Sequence, residues 1–231
     1  MPRAVRHHVA GVDGCKSGWV VALVPERDDG PTSVHVVTSF ADVLALRPCA
    51  IAIDMPIGLP DAGRRACDVA ARAQLGVRRS SVFPSPIRPM LDASSYAEAV
   101  AIGRRVDGRG LSRQAFNLVP KIRDVDRHMT RRKQAWIGEA HPELCFTLLL
   151  GQPCAASKKT PEGRAERLTA ITAIYPDATA RVAEPHPGAA LDDVLDAYAL
   201  TVTARRLHEG TVIRLGDGAV DTRGLRQEVV L

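Results

Sequence analysis

Residues 9–23 constrain the fold more than any other part of the chain, because they predict two paired strands joined by a tight turn. An apolar run ends at Asp13-Gly14, and a second apolar run begins after Gly18. Both glycines offer the backbone freedom that hairpin turns often need. Asp13 is therefore expected at the end of a buried strand, where a carboxylate is costly unless it is paired, hydrogen-bonded or bound to a cation. The alternative is an Asx-type turn in which Asp13 only caps the hairpin.

The length and the cysteine content limit the class of protein. With 231 residues and 45% hydrophobic content, we expect a single domain over residues 1–231 with a helical insertion at about 60–133. The basic N-terminus has no signal-peptide core behind it, and no apolar run could cross a bilayer, so a cytoplasmic protein without membrane contact is expected. The five cysteines form no CxxC pair, which predicts neither a zinc site nor a disulfide framework.

The net charge of +5 is unevenly distributed along the chain. Residues 64–133 contain 16 Lys/Arg and 6 Asp/Glu, whereas the remainder contains 15 Lys/Arg and 20 Asp/Glu. This division predicts an anionic partner for the middle of the chain. The alternative is a set of arginine-rich helices that only face solvent.

Strands are expected near residues 8–14, 18–25, 32–38, 49–54 and 135–140. The run 49–54 is continuously apolar up to Asp54, which is typical of a parallel strand buried on both faces. We expect the first three strands to form an antiparallel meander and the fourth to run parallel to the first. Asp13 and Asp54 would then lie at the same end of the sheet, where crevices form in open α/β sheets.

Three helices are predicted by capping residues and proline. A helix is expected over 61–75 with Asp61 as its N-cap, and Pro120 is expected to break a helical region over 111–134. The strongest helical segment covers 191–208 and is expected to close at Gly210.

Acidic residues follow predicted strands or open the last long helix, and they form four candidate sites: Asp13, Asp54, Glu139 and the triplet Asp192, Asp193 and Asp196. Asp193 and Asp196 share one helix face. The helix dipole alone would also favour acidic residues in a first turn. No Lys or Arg follows Asp192 or Asp193 at i+4, so local ion pairing does not explain the triplet. Converging carboxylates repel one another, and Mg²⁺ or Mn²⁺ would relieve that repulsion.

Motifs throughout the chain resemble those of domain-of-unknown-function family 429, described as predicted nucleases with an RNase H-like fold. They are GVDGCKSGWVVAL (11–23), IAIDMPIGLP (51–60), ARAQLGVRRSSVFPSP (71–86), PKIRDVD (120–126), GEAHPE (138–143), SKKTPEGRAER (157–167) and DDVLDAYALTVTARR (192–206). The first and last are also similar to Holliday-junction resolvases, where a strand-1 Asp and a DxxD-type helix start bind metal. The resemblance implies an α/β fold with an RNase H-like central mixed sheet flanked by helices, and a basic helical insertion after the fourth strand.

The resemblance also implies a nuclease that hydrolyses phosphodiester bonds at a two-metal carboxylate site with Mg²⁺ or Mn²⁺. Its catalytic and metal-binding residues would be Asp13, Asp54, Glu139, Asp193 and Asp196. Further candidates are Glu143 in place of Glu139, Asp192 in place of Asp193, His141 as a general base or supporting partner, and Lys121 from the insertion. Phosphate contacts are expected from Arg78, Arg79, Ser80, Ser81, Lys158 and Lys159, because arginine forks and helix starts suit anions.

Two other functions stay open at this point. The actin-like kinase superfamily shares such a sheet and an Asp-Gly turn after the first strand, but its members usually duplicate the domain, and this chain shows no second copy. A non-catalytic binding protein on the same fold is the other. The nucleic-acid partner is open between DNA and RNA, and the sequence does not indicate an oligomeric state.

Overall fold

The computed structural model describes residues 8–27 and 30–231 of the chain. These residues form two compact units. The first unit contains the described residues up to Asp54 together with 136–213 and 230–231, and the second contains 55–135 and 214–229. The insertion expected at about 60–133 lies within the second unit, which also takes in a later segment that the sequence did not assign to it.

A five-stranded mixed sheet lies at the centre of the first unit. Its strands are β1 (His8–Cys15), β2 (Gly18–Pro25), β3 (Ser33–Val37), β4 (Ala50–Ile53) and β5 (Ile137–Glu139), in the order β3-β2-β1-β4-β5. β1, β2 and β3 form an antiparallel meander, and β4 runs parallel to β1 and to β5. The predicted meander, the parallel fourth strand and the RNase H-like mixed sheet are therefore confirmed.

Helices flank this sheet and build most of the second unit. They are α1 (Phe40–Ala45), α2 (Ala66–Leu75), α3 (Tyr96–Asp107), α4 (Arg113–His128), α5 (Pro142–Leu150), α6 (Pro161–Thr172), α7 (Ala178–Ala183) and α8 (Leu191–Glu209). Helix α8 ends at Gly210 in the left-handed conformation, as predicted. A short pair, β6 (Arg214–Leu215) and β7 (Val229–Val230), forms a separate two-stranded sheet. No helix in the described ranges is long and apolar enough to span a bilayer.

Helix α8 packs directly on the backbone of β1 at Gly11. A Cβ atom at Gly11 would lie 1.9 Å from the Ala197 carbonyl oxygen and 2.7 Å from the Thr201 amide nitrogen. Glycine is therefore required at this position because nothing larger fits between strand and helix. The same face of the sheet carries the core, in which Val9 and Ala52 pack with α8 residues such as Leu195.

Two helix predictions were wrong. Helix α2 begins at Ala66 rather than at Asp61, because Gly63 has a φ of +84° and interrupts the helical backbone. Helix α4 runs through Pro120, since its buried stripe continues on both sides of the proline and holds the helix together. In the first hairpin only Gly18 takes a positive φ, whereas Gly14 remains part of β1.

The second unit joins its two chain segments through a buried aspartate and a glutamine. Asp221 accepts a hydrogen bond from the Leu59 amide at 3.1 Å and forms an ion pair with Arg88. The Gln134 side chain donates to the Arg226 carbonyl at 2.9 Å and accepts from the Arg226 amide at 2.8 Å. Residues 214–229 are therefore an integral part of this unit.

We predict that Gly11→Ala destabilises the protein by about 3 kcal/mol or more, because the new methyl group would overlap backbone atoms that cannot move aside. The measurement is urea unfolding followed by circular dichroism. The matched control is Gly110→Ala, where the new Cβ would meet Val100 at an ordinary 3.4 Å and stability should change little. Equal stability of the two variants would show that α8 can move away from β1.

Candidate functional site

Asp13 and Asp54 are neighbours at the carboxyl ends of two parallel strands. Val12 of β1 pairs with Ile53 of β4, and the Asp54 amide donates to the Val12 carbonyl at 3.0 Å. Asp13 therefore lies beside Asp54, one step beyond the last parallel pair. Asp13 is 9% exposed, and its Oδ1 accepts a hydrogen bond from the Gly14 amide at 2.7 Å. This bond comes from the next residue within β1, so it differs from the Asx-type turn considered as an alternative, which would bond the backbone two residues on.

Asp196 of α8 joins this pair from the helix that covers the same face of the sheet. Gly11 faces α8 at Ala197, and Asp13, two residues further along β1, projects from the same face. Burial raises the pKa of Asp13 well above its usual range, and the negative charges of Asp196 and Asp54 raise it further. Burial likewise raises the pKa of Asp196 to about 6, against the opposing effect of Lys158, and the charge of Asp54 adds to it. Asp13, Asp54 and Asp196, hereafter the carboxylate cluster, are therefore close enough to repel one another.

Positive charge reaches the carboxylate cluster from the loop before α6. The Lys158 ammonium forms an ion pair with Oδ2 of Asp196, and the Lys159 ammonium lies 2.5 Å from Oδ2 of Asp192. Although its own partial burial opposes this, the pKa of Lys158 is raised by Asp196 and then by Asp13 and Asp54. The two lysines predicted as phosphate contacts are thus paired with carboxylates of α8.

Helix α6 holds this loop, residues 155–160 (the lysine loop), in place. Glu166 accepts hydrogen bonds from the amides of Ala155 and Ala156 at 2.9 and 3.1 Å. A Cβ at Gly163 would lie 2.0 Å from the Ser157 carbonyl oxygen, so loop and helix backbones are in contact. Thr160 caps α6 by accepting from the Gly163 amide at 3.1 Å, and Pro161 takes the first helical position.

A buried ion pair between Arg167 and Glu143 supports the lysine loop. Arg167 donates to Oε1 of Glu143 at 2.6 Å, and the same guanidinium donates to the carbonyls of Ala156 at 3.1 Å and Gly163 at 2.9 Å. The charge of Glu143 contributes to the raised pKa of Asp196, so the two carboxylates are close. Glu143 Oε2 and Asp196 Oδ1 are buried, and neither has a hydrogen-bond partner among the residues that the structure describes.

Glu139 and Asp193 are placed differently from the carboxylate cluster. Glu139 pairs with Ile53 rather than with Asp54, and its neighbour Gly138 faces Leu207 of α8. Because side chains alternate along a strand, Glu139 projects from the opposite face of the sheet. Asp193 caps α8, since its Oδ2 accepts from the Ala190 amide at 2.8 Å. Its charge still contributes to the raised pKa of Asp13.

The remaining candidates lie on other elements. His141 is the N-cap of α5, and its Nδ1 accepts from the Glu143 amide at 3.2 Å. Lys121 lies on α4 of the second unit. The second unit also contains a 3₁₀ segment, Gly76–Ser81, in which the Ser81 hydroxyl donates to the Arg78 carbonyl at 2.8 Å. That segment carries the predicted phosphate contacts Arg78, Arg79, Ser80 and Ser81.

The donor atoms fit a hard divalent cation in type. Asp13, Asp54 and Asp196 provide carboxylate oxygens, which Mg²⁺ and Mn²⁺ prefer, and Oδ1 of Asp196 is buried without a partner. As the side chains stand, no group of three or more His, Cys, Asp or Glu residues among those described is arranged to hold a metal ion. In this arrangement a lysine ammonium, rather than a metal, neutralises Asp196.

Comparison with known proteins assigns the family. The sequence profile described as "Protein of unknown function (DUF429)" matches residues 11–220. The chain belongs to the DUF429 family. No curated protein is significantly similar to it. A solved structure described as "Thermus thermophilus RuvC structure" is similar over 88% of this chain and 97% of that chain, with 14% identity and a TM-score of 0.35.

Sequence reasoning missed the two ion pairs that link the lysine loop of this DUF429 chain to α8. A search restricted to i+4 neighbours cannot find partners 38 and 33 residues apart. One signal was available in the sequence. One motif contains two adjacent lysines, and another contains two aspartates one helical turn apart, so each lysine could have its own carboxylate partner. That pattern is visible only when the two motifs are considered together.

We predict that Asp13→Asn stabilises the metal-free protein by about 1–2 kcal/mol at pH 8, because it removes a buried charge that burial and two neighbouring carboxylates disfavour. Because the pKa of Asp13 is raised in the folded state, ionisation of Asp13 lowers the free energy of unfolding above that pKa. This cost disappears as the pH falls towards the pKa that Asp13 has in the unfolded chain. Urea unfolding in EDTA at pH 8 and pH 4 should therefore show a gain that is lost at the lower pH.

The control for this variant is Asp42→Asn on α1. Asp42 accepts hydrogen bonds from Ser39 and Thr38, which lower its pKa, so this substitution should destabilise the protein. A loss of stability in Asp13→Asn at pH 8 would contradict the proposed repulsion within the carboxylate cluster.

Proposed function

We propose that this DUF429 protein is a metal-dependent nuclease that hydrolyses phosphodiester bonds at the carboxylate cluster. The observation that carries the proposal is the convergence of Asp13, Asp54 and Asp196 from two strands and a helix, with the pKa of Asp13 and of Asp196 raised. Burying like charges together lowers stability, and strongly perturbed carboxylates of this kind concentrate at functional sites. The cluster lies at the carboxyl ends of parallel strands, where open α/β sheets bind ligands.

The residues that would hold Mg²⁺ or Mn²⁺ are Asp13, Asp54 and Asp196. Glu143 is the better supported of the two glutamates, because its charge acts on Asp196 and its Oε2 has no hydrogen-bond partner. Glu139 and Asp193 remain candidates for a second ion. When bound, such an ion would supply Lewis acidity at the phosphate and lower the pKa of an attacking water.

The chain's own residues would perform the remaining work. Asp13 and Asp196 would bind in their ionised forms, which burial and mutual repulsion disfavour until positive charge is present. Lys158 and Lys159 supply ammonium groups beside the cluster, on a loop fixed by Arg167. Because Nδ1 of His141 accepts a hydrogen bond, the neutral ring carries its proton on Nε2 and is suited to donate a hydrogen bond.

Binding of Mn²⁺ and cleavage of labelled nucleic acids test the proposal. We expect calorimetric Mn²⁺ binding and cleavage of at least one single-stranded, duplex or junction substrate in DNA or RNA. Asp13→Asn should abolish Mn²⁺ binding and lower cleavage by more than about 100-fold, since even supporting residues of metal sites cost 10–100-fold. Asp61→Asn, which changes an exposed carboxylate of the second unit, is the matched control and should leave both unchanged.

Three results would remove the proposal. Mn²⁺ binding that is equally strong in Asp13→Asn would place the metal elsewhere. Turnover of ATP with a small acceptor, without nuclease activity, would instead favour the kinase alternative. Absence of both metal binding and cleavage would favour a non-catalytic protein on this fold.

The second unit supports a nucleic-acid partner through its charge. Several of its arginines are used internally: Arg65 pairs with Asp68, Arg88 with Asp126 and Asp221, and Arg123 donates to carbonyls of Leu91 and Ala93. Others are exposed, namely Arg79, Arg104, Arg105, Arg113, Arg127, Arg131 and Arg132. This exposed set carries the excess of positive charge available to a phosphate backbone.

We predict that the double variant Arg131→Glu and Arg132→Glu weakens nucleic-acid binding and leaves Mn²⁺ binding intact. Lys133 is left unchanged because its ammonium donates to the His128 carbonyl at 2.7 Å. In the unmodified protein, log K should fall with log[salt] by roughly 0.7–0.9 per phosphate contacted, and the slope should be smaller in the variant. The control is Arg47→Glu, an exposed arginine of the first unit. An unchanged slope in the double variant would mean that these arginines only face solvent.

A further inference from the structure

Lys158 is the cation of the carboxylate cluster as the chain is folded. Its ammonium bonds Oδ2 of Asp196, and its charge also acts on Asp13 and Asp54. The Asp196 side chain is 1% exposed whereas that of Lys158 is 35% exposed, so the lysine enters a buried site from its solvent side. The same residue is thus anchored at a carboxylate and connected to water.

Contacts of the loop backbone hold Lys158 in place, so the position of its ammonium does not depend on the flexible side chain alone. Its own carbonyl accepts from Arg164 Nε at 3.3 Å, and the lysine loop is held by Arg167 and by the contact of Ser157 with Gly163. A loop that is fixed at this many points presents its ammonium to Asp196 as a defined contact. The four-carbon stem of lysine still allows the ammonium itself to move by rotation.

Lys158 and a divalent cation would bind the same carboxylate. The ammonium occupies Oδ2 of Asp196, and a cation bound by Asp13, Asp54 and Asp196 would lie within a few ångströms of it. Positive charges that share one carboxylate repel each other, and a divalent cation repels an ammonium twice as strongly as a monovalent ion would at the same distance. The Lys158 side chain is 35% exposed and its ammonium can move out into solvent, whereas the Asp196 side chain is only 1% exposed.

We propose that Lys158 is a displaceable counter-ion, which neutralises Asp196 in the metal-free protein, yields that carboxylate to a divalent cation, and is then free to contact a phosphate. The inference rests on the proposed metal site and adds a role for Lys158 within it. It also joins the phosphate contact expected from the sequence to the ion pair found in the structure. The two states of Lys158 would differ only in the partner of its ammonium.

Calorimetric titration with Mn²⁺ at pH 8 tests the competition. Lys158→Met keeps the length of the side chain and removes its charge, so Mn²⁺ should bind at least tenfold more tightly than to the unmodified protein. Lys158→Arg should restore the weaker binding. Lys133→Met is the matched control: its ammonium donates to the His128 carbonyl of the second unit rather than to a carboxylate of the cluster, so affinity should not change.

Labelling of lysine amines on the unmodified protein tests the displacement itself, and it does not depend on any variant folding. Reductive methylation followed by mass spectrometry should show that saturating Mn²⁺ increases modification of Lys158 several-fold, with Lys121 and Lys133 unchanged. Protection of Lys158 by Mn²⁺, or an unchanged rate, would show that the ammonium does not leave Asp196 and would overturn the inference.

The outcomes separate this inference from the proposed function. If the unmodified protein binds Mn²⁺, and Lys158→Met binds it equally or more weakly, the metal site stands and the counter-ion role is rejected. If Lys158→Met binds Mn²⁺ and the unmodified protein does not, Lys158 blocks the site without being displaced, and the displaceable role is rejected. If none of these proteins binds Mn²⁺, the metal site and the counter-ion role are rejected together.

Discussion

The contact between α8 and β1 at Gly11 determines the rest of the first unit. No side chain separates the two backbones there, so their distance is set by hard repulsion between main-chain atoms rather than by adaptable packing. Asp13 lies two residues beyond this contact on the strand, and Asp196 precedes Ala197 on the helix. The relative position of the two carboxylates is therefore fixed by the least deformable part of the molecule, which is what a preorganised site requires.

The carboxylate cluster is an unfavourable arrangement that the surrounding structure compensates. Burial and mutual repulsion raise the pKa of Asp13 and of Asp196, and the opposing charges come from a loop far away in sequence. Arg167 and Glu143 hold that loop through a buried ion pair, whose removal on one side alone would leave an uncompensated charge in the interior. Stability of the site and its electrostatics are thus parts of one network that extends from α5 through α6 to α8.

Much of this arrangement could be predicted from the sequence where the signals are local. The apolar run before Asp54 identified β4, and Gly210 identified the end of α8. These features depend on residues that are close together in the chain.

Other features depend on the strand register, where a shift of one residue matters, or on partners that are distant in the chain. The sequence alone does not specify these features. Glu139 and Asp54 end neighbouring strands, but a shift of one residue places their side chains on opposite faces of the sheet. The pairing of Lys158 with Asp196 arises only once α6 and α8 are packed. The prediction of a break at Pro120 was wrong for a related reason. A proline inside a helix has a local energetic cost, but the packing of α4 on both sides of Pro120 offsets that cost.

The composition of the second unit from two segments has a consequence for how the protein can be dissected. A fragment over 55–135 would lack Asp221, the acceptor for the Leu59 amide and the partner of Arg88, and it would lack the Arg226 backbone that satisfies Gln134. Buried donors in that fragment would have no acceptor, so it should not fold as an autonomous domain. Residues 55–135 are therefore not an independent module. A transferable version of the second unit would need residues 214–229, either rejoined by a new linker or supplied as a separate peptide.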